Sequence, residues 1–184
     1  MGSVVPSGNQ QVANGDGMKE FEKVLRGPRQ ACVWLDDEGR KVREEMAPYW
    51  VFYMDLDHVV ELRGDQVGKW MCFFTDADWM AGICSAAVLE GACAECKHTH
   101  PATLEAQGSG VACFYVNGDD REAHRRLLGW MIRHDLVRRT KKGKLYNIGF
   151  KYDTQTLAGE YGTTFAPKIV LSDFFDLETG EFVK

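Results

Sequence analysis

The sequence has no excess of positive charge, because its 22 Lys and Arg residues are outnumbered by 27 Asp and Glu residues. The net charge is −5, whereas a protein that holds duplex nucleic acid by bulk charge needs a broad cationic surface to displace counterions. Duplex DNA is therefore not an expected partner. No apolar run approaches the roughly 20 residues that cross a bilayer, so a membrane is not an expected partner either.

A secretion signal is also missing. Residues 1–17 lack the cationic start and the apolar stretch of a signal peptide, which predicts a cytoplasmic protein. In that compartment the six cysteines are expected to be reduced, and most lie in apolar segments where a thiol packs as a small hydrophobic side chain. They are Cys32, Cys72, Cys84, Cys93, Cys96 and Cys113.

No complete catalytic signature is present. The chain contains no Gly-x-Ser-x-Gly elbow, no Walker loop, no dinucleotide-binding fingerprint and no His-Glu-x-x-His helix. Isolated acids and histidines do not define a mechanism, so a non-enzymatic function is favoured over an enzymatic one. No cofactor is expected.

The domain organisation follows from length and composition. Residues 1–17 are rich in Gly, Ser, Asn and Gln, a composition that buries too little apolar surface to offset the entropy of ordering, and they are predicted to form a disordered leader. With 184 residues and 45% hydrophobic content, the chain supports one good core. Residues 18–184 are therefore predicted to form a single domain, whose oligomeric state stays open.

The expected elements are strands interrupted by helices. Apolar and β-branched runs predict strands at 31–35, 49–54, 67–74, 111–116, 145–152 and 169–175. Capping residues and 3.6-residue periodicity predict helices from about 76 to 90 and from about 120 to 134, and a short helix is expected at 18–26. Residues 101–110 and 153–167 are expected to be loops. This order predicts an α+β fold, with a curved, mainly antiparallel sheet and helices on one face.

Four potential metal ligands lie within eight residues, namely Cys93, Cys96, His98 and His100. A closed zinc site normally combines one close pair with a second pair further along the chain, and here the two pairs are nearly contiguous. On a strand Cys96, His98 and His100 would share one side while Cys93 points away. Packed thiols and solvated imidazoles are therefore favoured, no metal is predicted, and these four residues are the less favoured metal candidates.

Two further patterns have both a functional and a structural interpretation. Nine Arg and Lys residues between positions 121 and 144 suit a phosphate-binding or RNA-binding rim, but a solvated helix face and hairpin is preferred. Trp34, Trp50 and Trp70 fall on predicted strands, where an exposed indole would stack on a base. Core packing is the preferred interpretation for each of the three.

Three stretches carry a resemblance to a known family. They are Gly-Lys-Trp-Met-Cys-Phe at 68–73 leading into the Trp79 helix, Glu-Gly at 90–91 followed by Lys97, and Phe-Lys-Tyr-Asp-Thr at 150–154 continuing into Thr-Leu-Ala-Gly-Glu-Tyr-Gly at 156–162. Over residues 48–172 the chain resembles the uncharacterised basophilic-leukaemia-expressed protein family. The resemblance implies a fold similar to the cap-binding translation initiation factor 4E, with helices on the convex face of a curved antiparallel sheet.

The same resemblance directs attention to the concave sheet face. Cap-binding factors hold a methylated guanine between two tryptophans. The corresponding residues are not identified in this sequence, because Met71 rather than an acid follows Trp70. Around Lys97 the chain also departs from the family pattern. The leading hypothesis is a binding protein whose concave face takes a phosphorylated or nucleotide-like ligand or an RNA end.

The predicted ligand-binding residues are Trp50, Lys69, Trp70, Lys97, Lys151, Asp153 and Thr154. The lysines would contact phosphate, the acid and the threonine would make polar contacts, and one of the tryptophans would stack on the ligand. One alternative is an enzyme acting on a phosphorylated substrate, with Lys97 or His98 as the base. Another is a protein-interaction module that uses the helical face.

Overall fold

The computed structural model describes residues 19–26, 29–35 and 39–183, so the predicted leader at 1–17 lies outside the described residues. The strands are β1 (Lys19–Arg26), β2 (Arg29–Leu35), β3 (Lys41–Met46), β4 (Trp50–Asp55), β5 (Val67–Phe74), β6 (Glu95–Thr99), β7 (Gly110–Asn117) and β8 (Lys151–Tyr152). The helices are α1 (Ala77–Leu89), α2 (Pro101–Gln107), α3 (Arg121–Arg133) and α4 (Asp153–Leu157). Three-residue 3₁₀ turns occur at Val59–Glu61, Gly162–Thr164 and Leu171–Asp173.

All described strands belong to one sheet, in the order β1-β2-β3-β4-β6-β7-β5-β8. Every neighbouring pair is antiparallel, and the sheet is curved without closing on itself. The predicted α+β class with a curved antiparallel sheet is confirmed. None of the described helices is long and apolar enough to span a bilayer.

Alternation along the strands separates two faces of the sheet. Trp70 of β5 is opposite Phe114 of β7, which is opposite Cys96 of β6, and all three are fully buried. They belong to one core with side chains of α1 and α3, including Met80 and Leu127. We call this side the helix face and the opposite side, which carries Lys69 and its row, the open face.

Helix α1 has the boundaries that its sequence predicts. The Asp76 carboxylate accepts a hydrogen bond from the Trp79 amide at 2.9 Å, which caps the first turn. Gly91 has a φ of +68° just beyond the last turn, where glycine is favoured because it has no Cβ. The buried residues recur at helical spacing: Met80, Cys84, Ala87 and Val88.

Two histidines are buried in neutral form within the helix-face core. The Trp70 indole donates to His124 Nδ1 at 2.9 Å, so His124 Nε2 carries the hydrogen and donates to the Gly118 carbonyl at 3.3 Å. His98 Nδ1 donates to the Thr99 carbonyl at 2.9 Å, and its Nε2 has no hydrogen-bond partner among the described residues. Burial is the main cause that lowers the pKa of both imidazoles.

This burial predicts destabilisation by mild acid. The folded-state pKa of each histidine lies below the unfolded value of about 6.5, so below that pH the unfolded chain binds more protons and is favoured. Stability should be intact above pH 6.5 and decline as pH falls below it, by at most about 1.4 kcal/mol per pH unit for each histidine. Urea unfolding at pH 7.5 and 5.5 measures this difference.

A neutral replacement separates the contribution of His124 from other acid effects. In the variant His124→Gln the new amide can still accept a hydrogen bond from the Trp70 indole but does not titrate. The loss of unfolding free energy between pH 7.5 and pH 5.5 should therefore be smaller than in the parent. An unchanged loss in the His124→Gln variant would contradict the assignment of a neutral buried imidazole at this position.

Two short segments differ from the sequence prediction. The helix predicted at 18–26 is wrong, because Lys19–Arg26 pairs with β2 along its length, and a helix of this size is marginal without tertiary support. The loop predicted at 101–110 is also wrong, since Pro101–Gln107 is helical. Pro101 stands in the first turn, where proline is tolerated, and Gly108 ends the helix with a φ of +74°.

The C-terminal third also departs from prediction. The strand predicted at 145–152 is reduced to β8 and two isolated bridges, and α4 lies within the loop predicted at 153–167. The strand predicted at 169–175 is reduced to two isolated bridges, at Val170 and Phe175, with a 3₁₀ turn between them. Asp173 accepts from the Val170 amide at 2.8 Å, and a side chain that bonds to nearby backbone favours a turn over a ladder. Strand β3 was not among the predicted elements.

Candidate ligand-binding pocket

The sheet register gathers charged and aromatic side chains on the open face. Lys69 of β5 is opposite Tyr115 of β7 on one side and opposite Lys151 of β8 on the other. Cys113 of β7 is opposite Lys97 of β6. Because opposite residues in an antiparallel pair share a face, three lysines from three strands lie on the same side of the sheet.

These residues line a pocket of about 480 Å³ between the strands and the segment that follows β8. The charged lining groups are Lys69, Lys97 and Lys151. Most of the remaining wall is aromatic or aliphatic, and its main members are Trp50, Met71, Phe73, Val111, Tyr161 and Phe165. A largely apolar wall with a few charged groups is the usual composition of a small-molecule site.

The Lys97 ammonium lies among three aromatic rings. Its Nζ is 4.5 Å from the Trp50 ring centroid, 5.3 Å from that of Phe52 and 5.5 Å from that of Tyr115. Within the described part of the chain, no carboxylate forms an ion pair with Lys97. Cation–π contacts hold the ammonium in place and leave its hydrogen-bond donors available to an anion.

Lys69 is buried and already bonded. Its Nζ is 2.5 Å from Asp153 Oδ1 and donates to Thr156 Oγ1 at 2.9 Å. The same Nζ is 5.7 Å from the Tyr115 ring centroid, so Lys69 and Lys97 flank one ring. A single ligand lying over Tyr115 would reach both ammonium groups.

Lys151 is also buried, with 4% of its surface exposed. Its Nζ donates to the Glu160 carbonyl and lies 3.6 Å from the Tyr161 ring centroid. Burial lowers the pKa of Lys151, and the nearby Lys69 charge lowers it further. Two cations opposite each other in adjacent strands repel, and an anionic ligand would relieve that repulsion.

Two further ionisable groups of the open face, Cys113 and Tyr115, remain protonated near neutral pH. Burial raises the pKa of the Cys113 thiol to about 11, although Lys97 and Lys69 oppose the shift. Burial likewise raises the pKa of Tyr115 well above its usual value. Neither group supplies an ionised nucleophile or a base at neutral pH.

No family model, no curated protein and no solved structure matches this chain. The function of the pocket therefore has to follow from its own residues.

Of the residues predicted from the sequence, Trp50, Lys69, Lys97 and Lys151 line the pocket. Asp153 joins them indirectly, through its ion pair with Lys69. It does not share a strand face with Lys151, because β8 ends at Tyr152 and Asp153 begins α4.

Trp70 and Thr154 do not belong to this pocket. The Trp70 ring is fully buried in the helix-face core, where it contacts His124 and Phe150, so the prediction that it offers a stacking surface is wrong. Alternation explains the result, because neighbours on a strand point to opposite faces. Thr154 is exposed on α4 and is not among the lining residues.

The four candidate metal ligands contact different parts of the protein. Cys93 is buried in the core, and the Cys96 thiol donates to the Cys84 carbonyl at 3.3 Å. The His98 ring stacks on Tyr53, while His100 Nδ1 accepts from the Ala102 amide at the start of α2. Within the described residues, no three His, Cys, Asp or Glu side chains are grouped so that they would hold a metal ion.

Sequence reasoning missed the aromatic residues on the far wall of the pocket. Tyr161 and Phe165 follow α4 and contact Lys151 from the side opposite the sheet. The available signal was the pair Gly159 and Gly162, both of which have positive φ and allow the chain to turn back over the sheet. Phe73 also lines the pocket and lies in the strand predicted at 67–74, but it is not among the predicted site residues.

Proposed function

We propose that this protein is a non-enzymatic binding protein that takes a phosphorylated or nucleotide-like ligand, or an RNA end, in the open-face pocket. The observation that carries the proposal is the Lys97 ammonium, which lies over the Trp50 ring without a carboxylate partner among the described residues. A phosphate would accept hydrogen bonds from Lys97, and charge-assisted bonds of this kind are the strong ones. The adjoining indole offers a flat surface for a base.

The size and lining of the pocket support the same class of ligand. A volume of about 480 Å³ lies within the range of roughly 300–1,000 Å³ typical of small-molecule sites. Lys69 and Lys151 extend the cationic surface from Lys97 toward β8. Apart from Lys69, Lys97, Lys151 and Thr156, the wall offers few side chains that would read the edge of a base, so stacking would tolerate more than one base.

The proposal includes the fold and the family that the sequence resembles. We infer a fold similar to translation initiation factor 4E, because α1 and α3 cover one face of a curved antiparallel sheet and the pocket lies on the other. The open face then corresponds to the concave face predicted from the sequence. Membership of the basophilic-leukaemia-expressed protein family and a cytoplasmic location belong to the same proposal.

The two alternatives have weaker support. For the enzyme hypothesis, His98 is a poor base because it packs on Tyr53 and Phe74 at the helix face, away from the pocket. Lys97 forms no ion pair with an acid among the described residues. Burial raises the pKa of the nearby Glu95 carboxyl, and Lys97 opposes that shift. The interaction-module hypothesis has one supporting observation, the Trp79 side chain on α1, which is 46% exposed.

The proposal predicts that Lys97→Met weakens ligand binding without unfolding the protein. A thermal-shift screen with AMP, GMP, ADP, GDP and a 5′-phosphorylated pentaribonucleotide should identify at least one compound that raises the melting temperature, because a ligand specific to the folded state stabilises it. Calorimetric titration of that compound should then show at least about tenfold weaker binding to Lys97→Met, since a hydrogen bond to a charged group contributes about 1.5–3 kcal/mol.

Lys168→Met is the matched control, because Lys168 is exposed and outside the pocket. It should bind the same compound as tightly as the parent does. Both variants should melt within a few degrees of the parent, since methionine retains the aliphatic packing of the lysine stem. Equal binding by Lys97→Met and the parent would show that the ligand binds elsewhere, and the proposed function would fail.

A further inference from the structure

Two lysines of the pocket also bond to the chain segment that covers it. We call residues 153–165, which comprise α4 and the turn after it, the strap. Lys69 bonds to two side chains of the strap, Asp153 and Thr156. Lys151 bonds to the strap's backbone at Glu160 and lies against the Tyr161 ring. Two of the three lysines proposed to bind a ligand phosphate, Lys69 and Lys151, therefore already bond to groups of the protein itself.

We propose that Asp153 is an internal anion that occupies Lys69 in the free protein, and that a ligand phosphate must displace its carboxylate to reach this lysine. The inference rests on the proposed function of the pocket. It changes the predicted role of Asp153 from a polar ligand contact to a competitor, which makes Asp153 a residue that limits affinity.

The geometry of the ion pair supports an exchange of partners. The Lys69 side chain is 9% exposed and fixed on a central part of β5, whereas the Asp153 side chain is 36% exposed at the beginning of a five-residue helix. The carboxylate is thus the partner that can move toward solvent while the ammonium stays in the pocket. Thr156 would remain as a neutral acceptor for Lys69 and would not repel a phosphate.

The charges around the pocket determine the order in which a phosphate would contact the lysines. Lys97 forms no ion pair within the described residues, so it would receive the first phosphate oxygen without breaking one. A phosphate that reaches from Lys97 across the Tyr115 ring to Lys69 meets the Asp153 carboxylate at the same ammonium group. Like charges at one cation disfavour each other, so binding in the parent protein includes the release of Asp153.

The test is Asp153→Asn, which removes the charge and keeps the shape of the side chain. Calorimetric titration with AMP and with GMP should show about fivefold tighter binding than in the parent, since releasing a partly exposed ion pair contributes up to about 1 kcal/mol. Adenosine and guanosine, which lack phosphate, should show no gain. The gain should also disappear when Asp153→Asn is combined with Lys69→Met and compared with Lys69→Met alone.

Asp119→Asn is the matched control, because Asp119 also forms an ion pair with a basic residue, Arg63, but away from this pocket. It should leave nucleotide affinity unchanged. Unchanged or weaker binding of AMP and GMP by Asp153→Asn would overturn the internal-anion role and make Asp153 a ligand contact or a purely structural residue. Absence of any Lys97-dependent nucleotide binding would instead overturn the proposed function, and the inference with it.

Discussion

Replacing Trp70 with alanine should lower the free energy of unfolding by about 3–5 kcal/mol, as is typical when a large buried aromatic side chain is removed. The ring is fully buried, so its removal leaves a cavity beneath α3. It also removes the indole donor from His124 Nδ1, and a buried acceptor without a partner adds to the cost. Few substitutions in this chain are expected to have a larger effect on stability.

Urea denaturation at pH 7.5 measures the loss, and Trp79→Ala on α1 provides the control. Trp79 is 46% exposed, so its truncation should change stability by less than about 1 kcal/mol. The comparison also distinguishes a core residue from a stacking residue. If Trp70→Ala retained parental stability and lost only ligand binding, the placement of this ring in the core would be wrong.

Replacing Gly68 with alanine should destabilise the protein by about 1–3 kcal/mol, the usual range for overpacking. A Cβ at this position would lie 2.6 Å from the Phe150 ring and 2.7 Å from the Lys151 carbonyl oxygen. The ring is fully buried and the oxygen is backbone, so β8 has to move away from β5. Because β8 carries Lys151, affinity for the compound found in the nucleotide screen should fall as well.

Gly82→Ala is the control for this substitution. Gly82 lies within α1 and has nothing within 4 Å of a built Cβ, so alanine should stabilise the protein by up to about 1 kcal/mol through helix propensity. The two glycine variants should therefore shift the urea midpoint in opposite directions. A Gly68→Ala variant as stable as the parent would mean that β8 does not pack against β5 in this way.

Sequence patterns predict the elements whose signals are local. Helix α1 has an aspartate at its start and a glycine after its end, and strand β5 coincides with the predicted run at 67–74. Three of the predicted phosphate contacts, Lys69, Lys97 and Lys151, do lie in one pocket. The three lysines come together only because of the register between strands that are far apart in sequence. The family resemblance, rather than the composition, indicated that they would share a site.

The errors have equally specific causes. Lys69 and Trp70 were both assigned to one site, although neighbours on a strand face opposite sides. Alternation alone therefore allows only one of them in the pocket, and the buried core decides which. A strand continued through Lys151-Tyr152-Asp153-Thr154 would place Lys151 and Asp153 on one face, but the chain turns into α4 after two paired residues. Nothing local in Lys-Tyr-Asp-Thr distinguishes a strand that continues from one that ends.

The strand order has a consequence for the time at which the pocket forms as the chain is made. β1 to β4 are neighbours in both sequence and sheet, so they can pair as soon as they emerge from the ribosome. β5 has to wait for β7 on one side and, on the other, for β8, which the ribosome reaches much later. A nascent chain that ends before Lys151 has two of the three cations and no strap, and the binding site is therefore a late product of synthesis.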